Sequence, residues 1–303
     1  MASVVYSLCT VRSAGEVVAA IRIGDQLWPL TQVAPDLAVG TRGLMALFDD
    51  WDASHAALTA VAARLSANGG DSALDIGEVE VLTPLQYPLK VVCAGTNYFD
   101  HIEAAGYPNF SKEGNIPALF MKPPTTALVG PGKTAKYPNG ATQFDWEIEL
   151  GVVMAKRTSR VTQAEALSYV AGYMVTIDFS ARDFQRNPKH FKQADLFMGK
   201  AFDSACPAGP IFVPAEFVGD PQNLTMKLWR NGKIEQDSNT SKMIWSVAEL
   251  LEFITSQVTL EPGDLLLTGT PAGTGIETGT YASVGDVVEA EIEHLGRLRV
   301  EIY

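Results

Sequence analysis

The sequence predicts a mainly β protein with packing helices, an α+β chain. It divides into a small β-rich leading unit over residues 1–85 and a larger unit over residues 86–303. Three observations carry this. Short apolar runs rich in β-branched and aromatic residues recur along the chain, bounded by Gly, Pro, Asn and Asp. Two capping boxes of the form S/T-x-x-E mark helices that interrupt those runs. Strands and helices never alternate long enough for a doubly wound sheet. With 303 residues, 47% of them hydrophobic and 19% charged, the chain can bury a substantial core in more than one unit.

In the leading unit Val4–Tyr6, Val17–Ile23 and Gln26–Leu30 read as strands, with Gly24-Asp25 as a hairpin turn. A helix follows: Ser54 can cap it, Leu58, Val61 and Leu65 share a face, and Asn68-Gly69-Gly70 stops it. Residues 70–84 turn small and acidic, which suits a connector. Beyond them Lys90–Ala94, Ala118–Met121, Glu147–Met154 and Tyr173–Asp178 read as strands. Leu224–Gln236 is a hairpin about Asn231-Gly232, a type I′ signal. The turns Glu261–Asp264 and Ser283–Asp286 each launch a strand, and His294-Leu-Gly296 turns into a last one, Arg297–Ile302. The capping boxes are Thr162–Glu165 and Ser246–Glu249. The second leads into Val247, Leu250, Leu251, Ile254 and Val258 at helical spacing.

Composition excludes several roles. Lys+Arg 23 against Asp+Glu 35 gives a net charge of −12, which opposes binding to nucleic acid or to an anionic membrane surface. No apolar run approaches the roughly 18–20 residues of a membrane helix. The N-terminus lacks the basic and apolar regions of a secretory signal. Cys9, Cys93 and Cys206, odd in number and unrelated in spacing, read as reduced thiols, and a cytoplasmic location is expected.

The chemistry concentrates in a few segments. In Phe144–Val153 the residues Glu147 and Glu149 are two apart, so a strand projects both to one face while Ile148, Leu150 and Val152 face a core. Hard oxygen donors at that spacing suit Mg²⁺, Mn²⁺ or Ca²⁺; a solvated edge gives the same pattern. Asp178 ends an apolar run, where a carboxylate is either ligated or caps the next turn. Arg182, Gln185 and Lys200 follow it, as ion-pair partners or anion binders, and Lys189, Lys192 and Lys200 form a basic stretch. His101, in the loop after the first strand of the larger unit, is either structural or a general base. The segment 265–275 is glycine-rich but lacks the P-loop signature, and no G-x-S-x-G is present.

Six ordered segments carry a resemblance: GTNYFDH (95–101), ALFMKPPTTALVGPG (118–132), FDWEIELGVVM (144–154), AGYMVTIDFSARDFQ (171–185), MGKAFDSACPAGP (198–210) and LLLTGTPAGTG (265–275). Together they resemble the fumarylacetoacetate hydrolase family. The resemblance implies a mixed β-roll-like fold, a homodimer, and one Mg²⁺ or Mn²⁺ held by Glu147, Glu149 and Asp178. It implies Lys200 and a general-base His101 as catalytic residues, with Arg182, Gln185 and Thr270 contacting a 2-oxo or 2,4-dioxo acid. Relatives that pair the base with a glutamate often carry His-x-x-Glu. Here that position is Ala104 and Glu103 comes one residue early, so Glu103 is a candidate partner that helical spacing disfavours. The expected reaction is hydrolysis of a C–C bond in an acylpyruvate-type acid from aromatic or sugar-acid breakdown. Decarboxylation, isomerisation, hydration or simple binding of a 2-oxo acid are the alternatives.

Overall fold

The computed structural model describes residues 4–68, 73–191 and 194–303. Among these, twelve strands join in one sheet. Its main path runs Leu74–Asp75, Gln26–Pro29, Glu16–Ile23, Ser7–Ser13, Cys206–Pro214, Val170–Ile177, Ile148–Met154, Leu265–Leu267, Val91–Gly95, Ala118–Lys122. The first strand therefore lies beside one far along the chain, Leu8 opposite Phe212. A five-stranded sheet holds the Thr225–Arg230 and Lys233–Asn239 hairpin, Val287–Ile292, Gly296–Ile302 and Gly132–Ala135. The hairpin turns at Asn231 and Gly232, both with positive φ (52° and 79°), as a type I′ turn requires. The mixed, sheet-dominated α+β class is as the sequence predicts.

The central strands explain where the core sits. Ile148–Met154 and Val170–Ile177 are buried along their whole length. Ile148, Leu150, Val152 and Met154 enter one apolar cluster, with Trp245, Leu250, Leu251 and Ile254 from the second capping-box region. Val153, Met174, Leu265 and Leu267 enter the other. Ser246 caps its helix, Val247–Thr255, by accepting from Glu249 N. The Thr162 box starts only one turn, Gln163–Ala166.

Three expectations for the leading unit change. The first strand is Ser7–Ser13 rather than Val4–Tyr6. Ser7–Val11 are buried on both faces, so no alternation betrays them, while Val5 is exposed and the Tyr6 hydroxyl binds His55 Nδ1 at 2.6 Å. The helix runs Trp51–Asn68 out of a 3₁₀ stretch, Gly40–Asp50, and Asp50 Oδ1 accepts from Ala53 N, so Ser54 is not the cap. The connector is not a free linker: Leu74–Asp75 pairs with Gln26–Pro29 and Glu80–Leu82 with Ser7–Ser13. Gly69, Gly70 and Lys192 lie outside the described residues.

Candidate active site

The register of two central strands assembles the acidic residues. Ile148 opposes Ile177 and Glu149 opposes Thr176, so Glu147 and Asp178 face each other just past the paired region. Asp178 N donates to Glu147 O at 2.8 Å and locks that corner. Glu149 lies on the same strand face as Glu147. All three are buried, and one oxygen from each lies within 4.8 Å of the others.

Burying three carboxylates together is unfavourable unless charge offsets it. Three cations are folded around them. Lys200 Nζ bridges Glu147 Oε2 at 2.7 Å and Asp178 Oδ2 at 2.8 Å. Arg182 donates from Nη2 to Glu147 Oε1 at 2.5 Å and from Nε to Asp145 Oδ2 at 2.7 Å. Lys122 Nζ lies 2.6 Å from Asp178 Oδ1, yet its donors go to the carbonyls of Phe179, Ala205 and Lys200. Asp178 Oδ1 thus has a charge partner but no hydrogen bond.

The charge distribution is uneven. Burial raises Glu147, but Lys200 and Arg182 outweigh it and hold Glu147 well below the usual carboxylate range. Burial, and then the charges of Asp178 and Glu147, push Glu149 far above it, against Lys200 and the 2.6 Å bond from Gly269 N. Burial lowers the Lys200 ammonium, yet Asp178 and Glu147 more than restore it, so Lys200 is a cation and not a base. A cluster of four buried carboxylates including Asp145, with three cations and an acceptor left unbonded, fits one more positive charge beside Glu149 and Asp178. An oxygen-only set suits a hard divalent cation.

His101 stands on the short helix Phe99–Ala104 and is buried. It is near enough for its charge to contribute to lowering Glu147. Its Nδ1 makes a short contact with Glu277 Oε1, and both side chains are buried. Glu277 belongs to the turn Gly275–Thr278, and its other oxygen accepts from Gly273 N at 2.6 Å and Thr274 N at 3.2 Å. Glu103 is exposed and makes no such contact: two positions on from His101, it points off the helix to solvent. The partner expected at Glu103 is therefore supplied by Glu277, 176 residues later in the chain.

Thr270 is buried and its hydroxyl accepts from Gln236 Nε2 at 2.9 Å. Gln236 also donates to Pro271 O and accepts from Ile148 N, tying this glycine-rich loop to the Glu147 strand. Gln185, half-buried, accepts from Arg182 Nη1 at 3.4 Å.

Residues 90–303 match the fumarylacetoacetate (FAA) hydrolase C-terminal family. The chain belongs to that family. It is 41% identical over 223 residues to oxaloacetate tautomerase FAHD2A, mitochondrial, of Bos taurus, covering 72% of this chain and 68% of that protein. It is 38% identical over 248 residues to 2,4-didehydro-3-deoxy-L-rhamnonate hydrolase of Sphingomonas sp. (strain SKA58), covering 81% and 84%. Maleylpyruvate hydrolase from Sphingobium sp. SYK-6 has the same fold: TM-score 0.77, 25% identity, 98% of each chain covered.

Within this family fold, four side chains that contact the candidate site escape a reading by local spacing: Asp145, Lys122, Gln236 and Glu277. Lys122 and Asp145 carried a signal, charges in otherwise apolar strand segments. Glu277 carried another, since Thr274-Gly-Ile-Glu277 is itself a capping-box pattern. Gln236 carried none.

Proposed function

We propose that this chain is a divalent-metal-dependent hydrolase that cleaves the C3–C4 bond of a 2,4-dioxo acid and releases pyruvate. The observation that carries this reading is a buried histidine held by a part-buried glutamate beside a carboxylate triad. Glu147, Glu149 and Asp178 would hold the Mg²⁺ or Mn²⁺. Bound there, a divalent cation supplies Lewis-acid polarisation of the substrate's carboxylate and 2-oxo oxygens.

The chain's own groups account for the rest. Glu277 accepts the Nδ1 proton of His101, which leaves Nε2 basic in the neutral ring. His101 Nε2 takes a proton from water, and the resulting hydroxide adds to the C4 carbonyl. The C3–C4 bond breaks, C4 leaves as a carboxylic acid, and its bonding pair passes to C3 as an enolate. Lys200, held cationic by Glu147 and Asp178, stabilises the enolate charge. His101 returns the proton to C3, giving pyruvate. Arg182, Gln185 and Thr270 line the approach and bind the remaining polar atoms.

A second reading is favoured by the 41% identical relative's name, oxaloacetate tautomerase. The same base then moves a proton between C3 and oxygen: the C3–H bond breaks as the O–H bond forms, and no carbon–carbon bond breaks. One experiment separates the two: enol absorbance and released pyruvate followed on 2,4-dioxopentanoate and on oxaloacetate, with Mn²⁺ or EDTA. Metal-dependent pyruvate release from the dioxo acid supports hydrolysis. Enol–keto exchange of oxaloacetate with the dioxo acid intact overturns it.

We also propose the 1–85 and 86–303 division, a homodimer, and a cytoplasmic location. All the site residues fall after residue 90. The three cysteines are free and buried, in keeping with a reducing compartment. No helix among the described residues is long and apolar enough to cross a membrane.

A further inference from the structure

The distal group of the substrate can be read from the sheet. Gly151 pairs with Leu267, Leu267 with Cys93, and Cys93 with Phe120. Two residues further toward the site on each strand, one row crosses the sheet: Glu149, Gly269, Gly95, Ala118. Gly95 and Ala118 are themselves paired. Strands lie about 4.8 Å apart, so this row runs about 14 Å from the triad to Ala118. The same face of the last strand carries Lys122, against Asp178, and Phe120, whose ring lies 5.5 Å from Lys200 Nζ. Asn97 packs over Gly269 and the Phe120 ring lies against Gly95, so past Phe120 the last strand presents only the exposed methyl group of Ala118.

The row ends in a cavity of about 270 Å³ lined by Gly95, Ile102, Tyr107, Phe110, Ala118 and Trp245, among others. None of its lining residues is charged. Ile102, on the same short helix as His101, forms part of its lining. Its wall is fixed: Asn97 holds Trp245 by two backbone bonds of 2.9 Å, and Phe110 packs edge-on against the indole. Tyr107 and Ile116 at the mouth are left largely exposed, apolar surface that a bound group would cover. Lys112, on the segment over the cavity, is engaged with Glu249 Oε1 at 2.5 Å. Nothing here offers a counter-charge to a second carboxylate. An engineered apolar cavity of about 150 Å³ takes benzene, so a ring fits this space.

We infer that this cavity receives an uncharged, apolar distal group of aryl or branched-alkyl size on a 2-oxo acid whose carboxylate end lies at the triad. The inference rests on the 2-oxo-acid reading of the site, and goes beyond it by naming the substrate's far end.

The test uses acids that differ only at that end and cannot be hydrolysed: 2-oxopentanoate, 2-oxo-4-phenylbutanoate and 2-oxoglutarate. Their dissociation constants are measured by calorimetry with Mg²⁺, on the full chain and on Ala118→Phe. The phenyl acid should bind about tenfold or more tighter than the methyl acid, since a single methylene in an apolar pocket is worth at least that. The dicarboxylic acid should bind weakest. Ala118→Phe should abolish the phenyl advantage and leave 2-oxopentanoate within about twofold, which also shows that the variant folds. Equal binding of all three acids, preference for 2-oxoglutarate, or a phenyl advantage that survives in Ala118→Phe would overturn the assignment. Selective binding of the phenyl acid with no turnover of any 2,4-dioxo acid would leave the cavity assigned and overturn the hydrolase reading instead.

Discussion

Two histidine–glutamate pairs sit in this molecule, and their surroundings separate them. His55 Nε2 meets Glu216 Oε2 at 2.9 Å where the leading unit packs on the sheet, with the carboxylate half-exposed. His55 also stacks on Trp51 and accepts the Tyr6 hydroxyl, so both ring nitrogens are spoken for. His101 is buried and Glu277 part-buried, and Nδ1 alone is occupied within the described contacts. The first pair fastens the helix Trp51–Asn68 to the turn Ala215–Phe217. The second stands beside a carboxylate triad with a free nitrogen. Identical residue types thus stand in two different settings, one tied up in packing and one beside buried carboxylates, and the proposed proton transfer belongs to the second.

That contrast can be broken at several points. The largest effect is expected at the triad: Asp178→Ala leaves Lys122 and Lys200 buried without their partner, a loss of about 3–5 kcal/mol by denaturant titration. Glu149→Gln, which keeps the shape, should instead fold normally and lose Mn²⁺ binding by calorimetry; unchanged affinity would remove the metal assignment. His101→Ala should lower turnover by about 10²–10⁴-fold, as loss of a general base does, whereas His55→Ala should leave it unchanged. Glu277→Gln should reduce kcat by about 10–100-fold at unaltered metal affinity, in line with loss of an orienting carboxylate. Glu103→Ala should be silent, and a kinetic defect there as large as that of Glu277→Gln would reverse the pairing drawn from the geometry. Glu216→Gln should cost at most about 1 kcal/mol, because a half-exposed pair is well screened.

The smallest effect concerns the thiols. Burial pushes Cys9 and Cys206 up to about 12 and Cys93 well above its ordinary value. Native protein at pH 8 should therefore not react with a thiol-specific reagent, while the unfolded chain releases all three; rapid native labelling would contradict the packing of these strands.

Much was legible beforehand. Alternation in Glu147–Met154 placed Glu147 and Glu149 on one face, because side-chain direction on a strand follows from covalent geometry alone. Asn231-Gly232 fixed a hairpin because few residues tolerate positive φ. Lys200, Arg182, Gln185 and Thr270 were reached through ordered motifs rather than through spacing. Failures came where signals were local but the cause was not. Ser7–Ser13 carries no alternation because it is buried on both faces, and Glu103 looked like a partner only because it was close in sequence.

The sequence by itself determined the periodicities, the turns, the capping boxes and the family, since these depend on residues a few positions apart or on ordered motifs. The tertiary structure alone decided that Lys122, Asp145 and Gln236 gather around the acidic strands, that Glu277 reaches His101 across 176 positions, and that Gly95 and Ala118 line an apolar cavity. The reason is physical: strand register juxtaposes residues that chain distance keeps apart, and a buried charge or an empty volume is defined by all of its neighbours at once.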